Sequence, residues 1–276
     1  MNENNSSSPN GRNQPLERLY NRPRNEAVTV TDDQLQKLRE IGCCTLCHGL
    51  VDLGFNNTYL RDIRLIAAGE GGDATFAGLA RTLRFAPLRE DLVTAQYAEN
   101  TRSPHRVTIE TVEANEVVVA DAGGSLESGV FGDIFTLRVK QRGGRAIIVD
   151  GAIRDQKGIR KVELPVFARG IHGAGIPRAQ ISVGINEPVR CGGGIVLPGD
   201  VVVGDEDGIV VCPPQMVGEL IRVYHPKIDF ERWIRKKLRA GENLHHYYQF
   251  PPREEVVREY EASREGEQAS TGRVGP

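Results

Sequence analysis

One stretch limits the folds open to this chain more than any other: residues 121 to 155, DAGGSLESGVFGDIFTLRVKQRGGRAIIVDGAIRD. A strand ends at Asp121, a glycine-rich loop follows, and a helix opens near Asp133. A second strand, Arg145 to Val149, then delivers Asp150-Gly151 and, shortly after, Arg154-Asp155. Two strands ending in Asp-Gly-type turns can present their loops at one edge of a sheet. In open α/β sheets that carboxyl edge is where ligands bind. The expected class is therefore α/β, with a site at residues 133 and 154–155.

The chemistry on offer there follows from the residue types. A helix that begins at Asp133 leaves the backbone N–H groups of Ile134 and Phe135 without intrahelical partners, which favours a carboxylate or another anion. Arg154 brings a permanently charged planar fork suited to a carboxylate or to an oxygen that becomes negative. Asp133 and Asp155 are hard oxygen donors of the kind that hold Mg²⁺ or Mn²⁺. Together they describe a site for a small 2-keto acid beside a divalent metal. The plainer alternative is a helix-terminal Asp133 and a surface ion pair at Arg154-Asp155.

Composition excludes more than it selects. A net charge of -2 over 276 residues gives no reason to expect nucleic acid. The basic run RWIRKKLR, Arg232 to Arg239, has Trp233, Ile234 and Leu238 at helical spacing, which predicts an amphipathic helix with a solvated basic face. No apolar run is long enough to span a bilayer, and the polar start resembles no signal peptide, so the cytoplasm is the expected compartment and no membrane partner is expected. Five cysteines suit a reducing compartment. Cys43, Cys44, Cys47 and His48 are close in sequence, yet no second ligand pair follows at a zinc-finger spacing. Packing of Cys43 and Cys47 one helical turn apart accounts for them better.

Along the chain, residues 1–26 read as a flexible arm that could lie on a neighbouring subunit through Leu19 and Tyr20. The catalytic domain is expected over 27–245 and a C-terminal tail over 246–276. Thr31 is a plausible N-cap for DDQLQKLREIG, and a second helix is expected over Thr45 to Leu53. Leu79 to Phe85 and Glu116 to Asp121 read as strands, and Ser103 to Thr111 as a helix with Pro104 at its first position. His105 there could face a ligand, although capping or packing is the commoner role. A short helix over Gln156 to Val162 and a strand over Pro165 to Ala168 follow, with His172 a weak polar candidate. Residues 181 to 212 alternate strands with tight turns, and helices are expected over Gln215 to Tyr224 and Asp229 to Ala240. Gly173 and Gly175 lack the third glycine and the helix of a dinucleotide fingerprint.

Four landmarks carry a resemblance: Gly132-Asp133, VDGAIRD from Val149 to Asp155, PVFARG from Pro165 to Gly170, and PGDVVVGDEDGIVV from Pro198 to Val211. In order and spacing, over about residues 30 to 245, the chain resembles the RraA-like family of 4-hydroxy-4-methyl-2-oxoglutarate aldolases, oxaloacetate decarboxylases and regulators of ribonuclease E. Asp133, twenty residues, then Arg154-Asp155 looks like the signature of the catalytic members, and SPHRVTIE resembles a long-chain subgroup. The resemblance implies a swivelling β/β/α fold, a homotrimer or homohexamer, and sites at subunit interfaces. It also implies residue roles: Gly132 and the Ile134 and Phe135 amides at the substrate carboxylate, Arg154 at the keto oxygen, Asp155 on Mg²⁺ or another divalent metal, and Asp133 ordering a water on that metal. Glu231 is in about the right region to complete the site from a neighbouring subunit.

The leading expectation is a divalent-metal-dependent lyase that cleaves a carbon–carbon bond of a 4-hydroxy-2-oxo acid or oxaloacetate through the enolate of pyruvate. A Schiff-base mechanism would fall to Lys157, but nothing apolar surrounds that residue to lower its pKa. Two rivals come from other classes: a non-catalytic protein that regulates a ribonuclease by contact, and a hydratase or dehydratase of a sugar-derived keto acid.

Overall fold

The computed structural model describes residues 29–93 and 102–271, with side chains described as far as 265. The arm expected over 1–26, with Leu19 and Tyr20, lies outside the described residues. The chain divides into two compact units, Met1–Ile221 and Arg222–Pro276.

The first unit opens with two helices, α1 (Asp32–Ile41) and α2 (Cys43–Asp52). Thr31 caps α1 as expected, and the cap is reciprocal. The Thr31 hydroxyl accepts the Gln34 N–H at 3.2 Å, while the Gln34 side chain accepts the Thr31 N–H at 3.0 Å. The strands that follow, β1 (Arg64–Ala67) and β2 (Phe76–Pro87), lead through helix α3 (Pro104–Glu110) into β3 (Glu116–Asp121). Helix α4 (Asp133–Gln141), β4 (Ala146–Ile153), helix α5 (Gln156–Val162) and β5 (Val166–Ile171) complete the central alternation.

Strands β2, β3, β4 and β5 lie side by side and parallel. Antiparallel neighbours flank them: β1 on β5, and β6 (Gln180–Ile185) and β9 (Val201–Asp205) on the two halves of β2, with β10 (Gly208–Cys212) beyond β9. A separate hairpin joins β7 (Val189–Cys191) to β8 (Gly194–Val196).

The unbroken apolar runs of β3 and β4 follow from burial on both faces. Side chains alternate across a strand, so Val118, Ala120, Ile147 and Val149 pack with Ile109, Val139 and Ile159 of α3, α4 and α5. Val117, Val119, Ala146 and Ile148 face the other way, into Phe76, Phe167 and the residues of β7, β8, β9 and β10. This is the α/β architecture expected from the sequence.

Several elements differ from expectation. Strand β4 does not turn at Asp150-Gly151 but runs on to Ile153, because Asp150, 1% exposed, finds partners off its own strand. Its carboxylate pairs with Arg169 of β5 and accepts the Gly192 N–H at 3.0 Å. The two helices expected around residue 226 are one, α6 (Val217–Arg239), with Pro226 inside it. Ion pairs of Asp229 with Arg232 and of Glu231 with Arg235, one turn apart, support the helix beyond the proline.

In the second unit, Trp233 and Ile234 of α6 pack with Tyr247 of α7 (Leu244–Tyr247) and Val256 of α8 (Glu254–Thr271). The basic run is thus an amphipathic helix with its apolar stripe buried. The polar stretch after Glu254 is helical.

Phe167 tests the inner face of the sheet. It is 1% exposed, with its ring 5.6 Å from that of Phe76. Phe167→Ala is expected to lower stability by about 3–5 kcal/mol in urea unfolding, and a loss below about 1 kcal/mol would contradict this packing.

Candidate functional site

The site begins where the loop after β3 enters α4. Gly132 is extended at φ −128°, and its carbonyl accepts both the N–H and the hydroxyl of Thr136, at 3.0 and 2.8 Å. The first turn of α4 is thereby pinned, with its N–H groups at the open end of the helix. One of them already has a partner in the structure: the Ile134 N–H donates to Asp133 Oδ1 at 2.8 Å.

Strand β4 ends beside this turn. The Arg154 N–H donates to the Phe131 carbonyl at 2.8 Å, and the Val130 N–H to the Ala152 carbonyl at 3.0 Å. Arg154 Nε donates to Asp155 Oδ2 at 2.8 Å. Asp155 starts α5 from the left-handed region, φ 57° and ψ 35°, a conformation that Asp tolerates better than most residues. A Cβ on Gly132 would lie 2.7 Å from Asp155 Oδ2, and one on Gly129 would lie 2.7 Å from both the Arg154 nitrogen and its Cβ. Close approach, and not a turn, accounts for glycine at these two positions.

These residues line one cavity of about 430 Å³. Gly132, Asp133, Ile134, Phe135, Arg154 and Asp155 are all on its wall, so the sequence-predicted residues of the first unit converge. Asp133 and Asp155 are the acidic residues among its lining, and they are the groups there that could hold a hard cation. Among the described residues no group of three or more His, Cys, Asp or Glu side chains is arranged to hold a metal.

Of the rest of the wall, the sequence offered only His105 as a residue that could face a ligand. Ser103, His105 and Arg106 line it from the start of α3, with Ser182 of β6 and Ile176 and Pro177. His105 is 4% exposed, and its ring meets those of Phe85, Phe131 and Phe135 at 5.5, 4.8 and 4.7 Å, each close to edge-on. Burial, then the neighbouring Arg106 charge, pushes its pKa down to about 3, so the imidazole is neutral at ordinary pH. His105 Nε2 is buried without a hydrogen-bond partner. The guanidinium carbon of Arg106 lies 5.7 Å from the centre of the Phe135 ring.

Other candidates lie elsewhere. Glu231 belongs to the second unit, where its carboxylate accepts from Arg235 at 2.9 Å. Lys157 is exposed and His172 half-buried, its Nδ1 accepting the Ala174 N–H at 3.0 Å; neither is among the cavity's lining residues. Asp150 is a buried strut, not a loop group. Cys43, Cys191 and Cys212 are buried, and burial raises their thiol pKa values. Among the described residues no helix is long and apolar enough to cross a membrane.

The model of the RraA-like family, described as Aldolase/RraA, matches residues 43–211. An uncharacterized protein of Methanocaldococcus jannaschii is 36% identical over 134 residues, 47% of this chain and 63% of that protein, so the match spans less than two thirds of its length. The 4-hydroxy-4-methyl-2-oxoglutarate aldolase of Thermus thermophilus is 31% identical over 146 residues, 52% of this chain and 79% of that enzyme. Among solved structures, Streptomyces coelicolor RraAS2, described as an unusual member of the RNase ES inhibitor RraA protein family, superposes with a TM-score of 0.65. It is 31% identical over 75% of this chain and 98% of its own.

Two glycine substitutions separate fold from site. Gly129→Ala drives a methyl into the backbone of Arg154 and is expected to cost about 1–3 kcal/mol in urea unfolding. Gly132→Ala meets only the Asp155 carboxylate, so it should leave stability within about 0.5 kcal/mol of wild type while displacing Asp155. Equal destabilisation by the two would refute this distinction. A pH effect also follows. Because the folded pKa of His105 lies near 3 and the unfolded value near 6.5, the unfolded chain binds the extra proton between these limits. Stability is therefore full above pH 6.5 and declines as pH falls toward 3, with a slope of at most about 1.4 kcal/mol per pH unit from this group. His105→Leu should flatten the dependence in melts taken from pH 7 down to pH 4; an unchanged slope would mean that His105 is not the group responsible.

Proposed function

The chain belongs to the RraA-like family, and from that premise we propose that it is a divalent-metal-dependent carbon–carbon lyase for a 4-hydroxy-2-oxo acid or oxaloacetate. The observation that carries this reading is the meeting, in one cavity, of the α4 N-terminal turn, a guanidinium and two carboxylates. A scaffold that worked by surface contact alone would need none of that arrangement.

In this reading the 2-oxo acid enters with its carboxylate at the Gly132–Phe135 turn, where the backbone N–H groups and the helix end favour negative charge. Arg154 then faces the keto oxygen. When the bond between C3 and C4 breaks, its electron pair moves onto that oxygen and leaves the enolate of pyruvate. Arg154 stabilises the charge more strongly there than on the starting ketone, an effect of about 3–4 kcal/mol for a fixed donor of this kind. Asp133 orients a water that takes the proton from the C4 hydroxyl and returns one to C3. Loss of CO₂ from oxaloacetate passes through the same enolate and needs the same groups.

The donor set suits Mg²⁺ or Mn²⁺, since Mg²⁺ is commonly held by one or two carboxylates and keeps several waters. Asp155, with Asp133 behind a water, would hold the ion, which supplies Lewis-acid polarisation of the keto oxygen. Assembly as a homotrimer or homohexamer, with Glu231 from a neighbouring copy completing the site, is part of the same proposal.

The test is release of pyruvate from a panel of 4-hydroxy-2-oxo acids and from oxaloacetate. Activity is expected to disappear with EDTA and return with Mg²⁺. Arg154→Lys should lower kcat/KM by about two to three powers of ten, because a single ammonium does not reproduce the planar fork. Wild-type turnover in that variant would remove Arg154 from the mechanism. Product formed without pyruvate would point to a dehydratase, and capture of a ribonuclease with no turnover on any substrate would point to the regulator.

A further inference from the structure

Buried polar groups in folded proteins are almost always hydrogen-bonded, and an exception calls for a reason. His105 is such an exception, and it lies on the wall of the cavity that holds Arg154 and Asp155. It is 4% exposed. Its backbone N–H donates to Ser182 Oγ, but ring atom Nε2 is buried and has no hydrogen-bond partner among the described residues. Neither of the ordinary roles for a helical histidine explains this. The side chain that caps α3 belongs to Ser103, which accepts the Arg106 N–H. A phenyl or aliphatic group would fill the gap between Phe85, Phe131 and Phe135 without leaving a polar atom unpaired, so packing does not account for an imidazole either.

The same three rings decide what the imidazole can offer a ligand. Burial among them, and then the Arg106 charge, keeps it neutral, so it carries one N–H donor and one bare nitrogen. The rings also fix its place. Phe131 and Phe135, whose centres lie 4.8 and 4.7 Å from that of the imidazole, stand in sequence on either side of Gly132, Asp133 and Ile134. That turn is the one assigned above to the substrate carboxylate, and His105 is held beside it.

We infer that His105 donates its ring N–H to the carboxylate of the bound 2-oxo acid, as an uncharged donor that joins the amides of the α4 turn. The inference rests on the reading of this cavity as a 2-oxo-acid site, and it adds a substrate-binding residue to that site. The carboxylate keeps its charge while the carbon–carbon bond breaks, so the contact is as strong in the starting complex as in the transition state. Its loss therefore raises KM and leaves kcat nearly unchanged.

Pyruvate carries the same keto acid and tests this without turnover. His105→Phe keeps a ring in the gap and removes both nitrogens. In calorimetric titrations with Mg²⁺ present, it is expected to bind pyruvate about ten- to hundredfold more weakly than wild type, the range for a hydrogen bond to a charged group. His105→Gln fills the gap less well but restores a side-chain N–H, and it should recover most of that loss. In nitrogen NMR of the wild-type protein, saturation with pyruvate is expected to shift the protonated ring nitrogen of His105 while the ring stays neutral. Wild-type affinity in His105→Phe, or an equal loss in both variants, would overturn the role of His105 and leave the 2-oxo-acid reading standing. Should His105→Phe fail to fold, a wild-type ring signal that pyruvate does not move would overturn it in the same way. Failure of the wild type to bind pyruvate would overturn both.

Discussion

A few backbone hydrogen bonds between residues 129–131 and their neighbours hold the site together. Val130 donates to the Ala152 carbonyl, Arg154 donates to the Phe131 carbonyl, and Gly129 donates to the Ala174 carbonyl at 2.8 Å. Gly129 also bridges both Ala152 and Gly175 in parallel fashion. The loop that enters α4 is thereby fastened to the end of β4 and to the segment after β5. Each bond contributes only about 1 kcal/mol net, yet each fixes the position of an element carrying a polar group of the site. The glycines follow from this. At 129 and 132 a side chain would occupy space already taken by Arg154 or Asp155.

How a cavity facing two parallel strands acquires an aromatic wall depends on β2. Its C-terminal half pairs with β6, and the Ser182 hydroxyl of β6 accepts the His105 N–H at 3.3 Å, across 77 positions of sequence. That pairing sets α3 against α4, and His105 closes the gap between Phe85, Phe131 and Phe135. A charged imidazole among three rings would be poorly solvated, so His105 stays neutral.

The local parts of this design were legible in the sequence. Thr31 as a cap, β3 from Glu116 to Asp121, the start of α4 at Asp133 and α5 from Gln156 to Val162 depend on near neighbours, and all stand where the residue pattern put them. The spacing between Asp133 and Arg154-Asp155 was readable because a single strand–helix–strand passage links them. What was not readable depends on distant partners. Asp150-Gly151 has the composition of a turn, but Arg169 and the Gly192 N–H draw Asp150 into a strand, and no short-range pattern announces that. His105 and Arg106 reach the cavity through the β2–β6 pairing; their helix was visible and His105 could be read as facing a ligand, but no short-range pattern put Arg106 on the wall. Pro226 reads as a helix end, yet side-chain pairs on its C-terminal side keep α6 continuous.

The two Arg–Asp pairs of this sheet show why residues 154 and 155 call for a functional explanation when 150 and 169 do not. Asp150 is 1% exposed, and removing Arg169 would leave a buried charge uncompensated, so that pair is explained by the fold it joins. Arg154 and Asp155 are 42% and 40% exposed at the side chain, where an ion pair contributes about 0–1 kcal/mol. Asp155 also occupies a left-handed conformation, which costs about 1–2 kcal/mol for a residue with a side chain. The arrangement therefore adds little or nothing to stability. It requires glycine at 129 and 132 to fit at all, and a fold selected for stability alone would gain by replacing it. A pair that the fold does not need, held on a cavity wall beside a helix N-terminus, is best accounted for by what it does to a ligand.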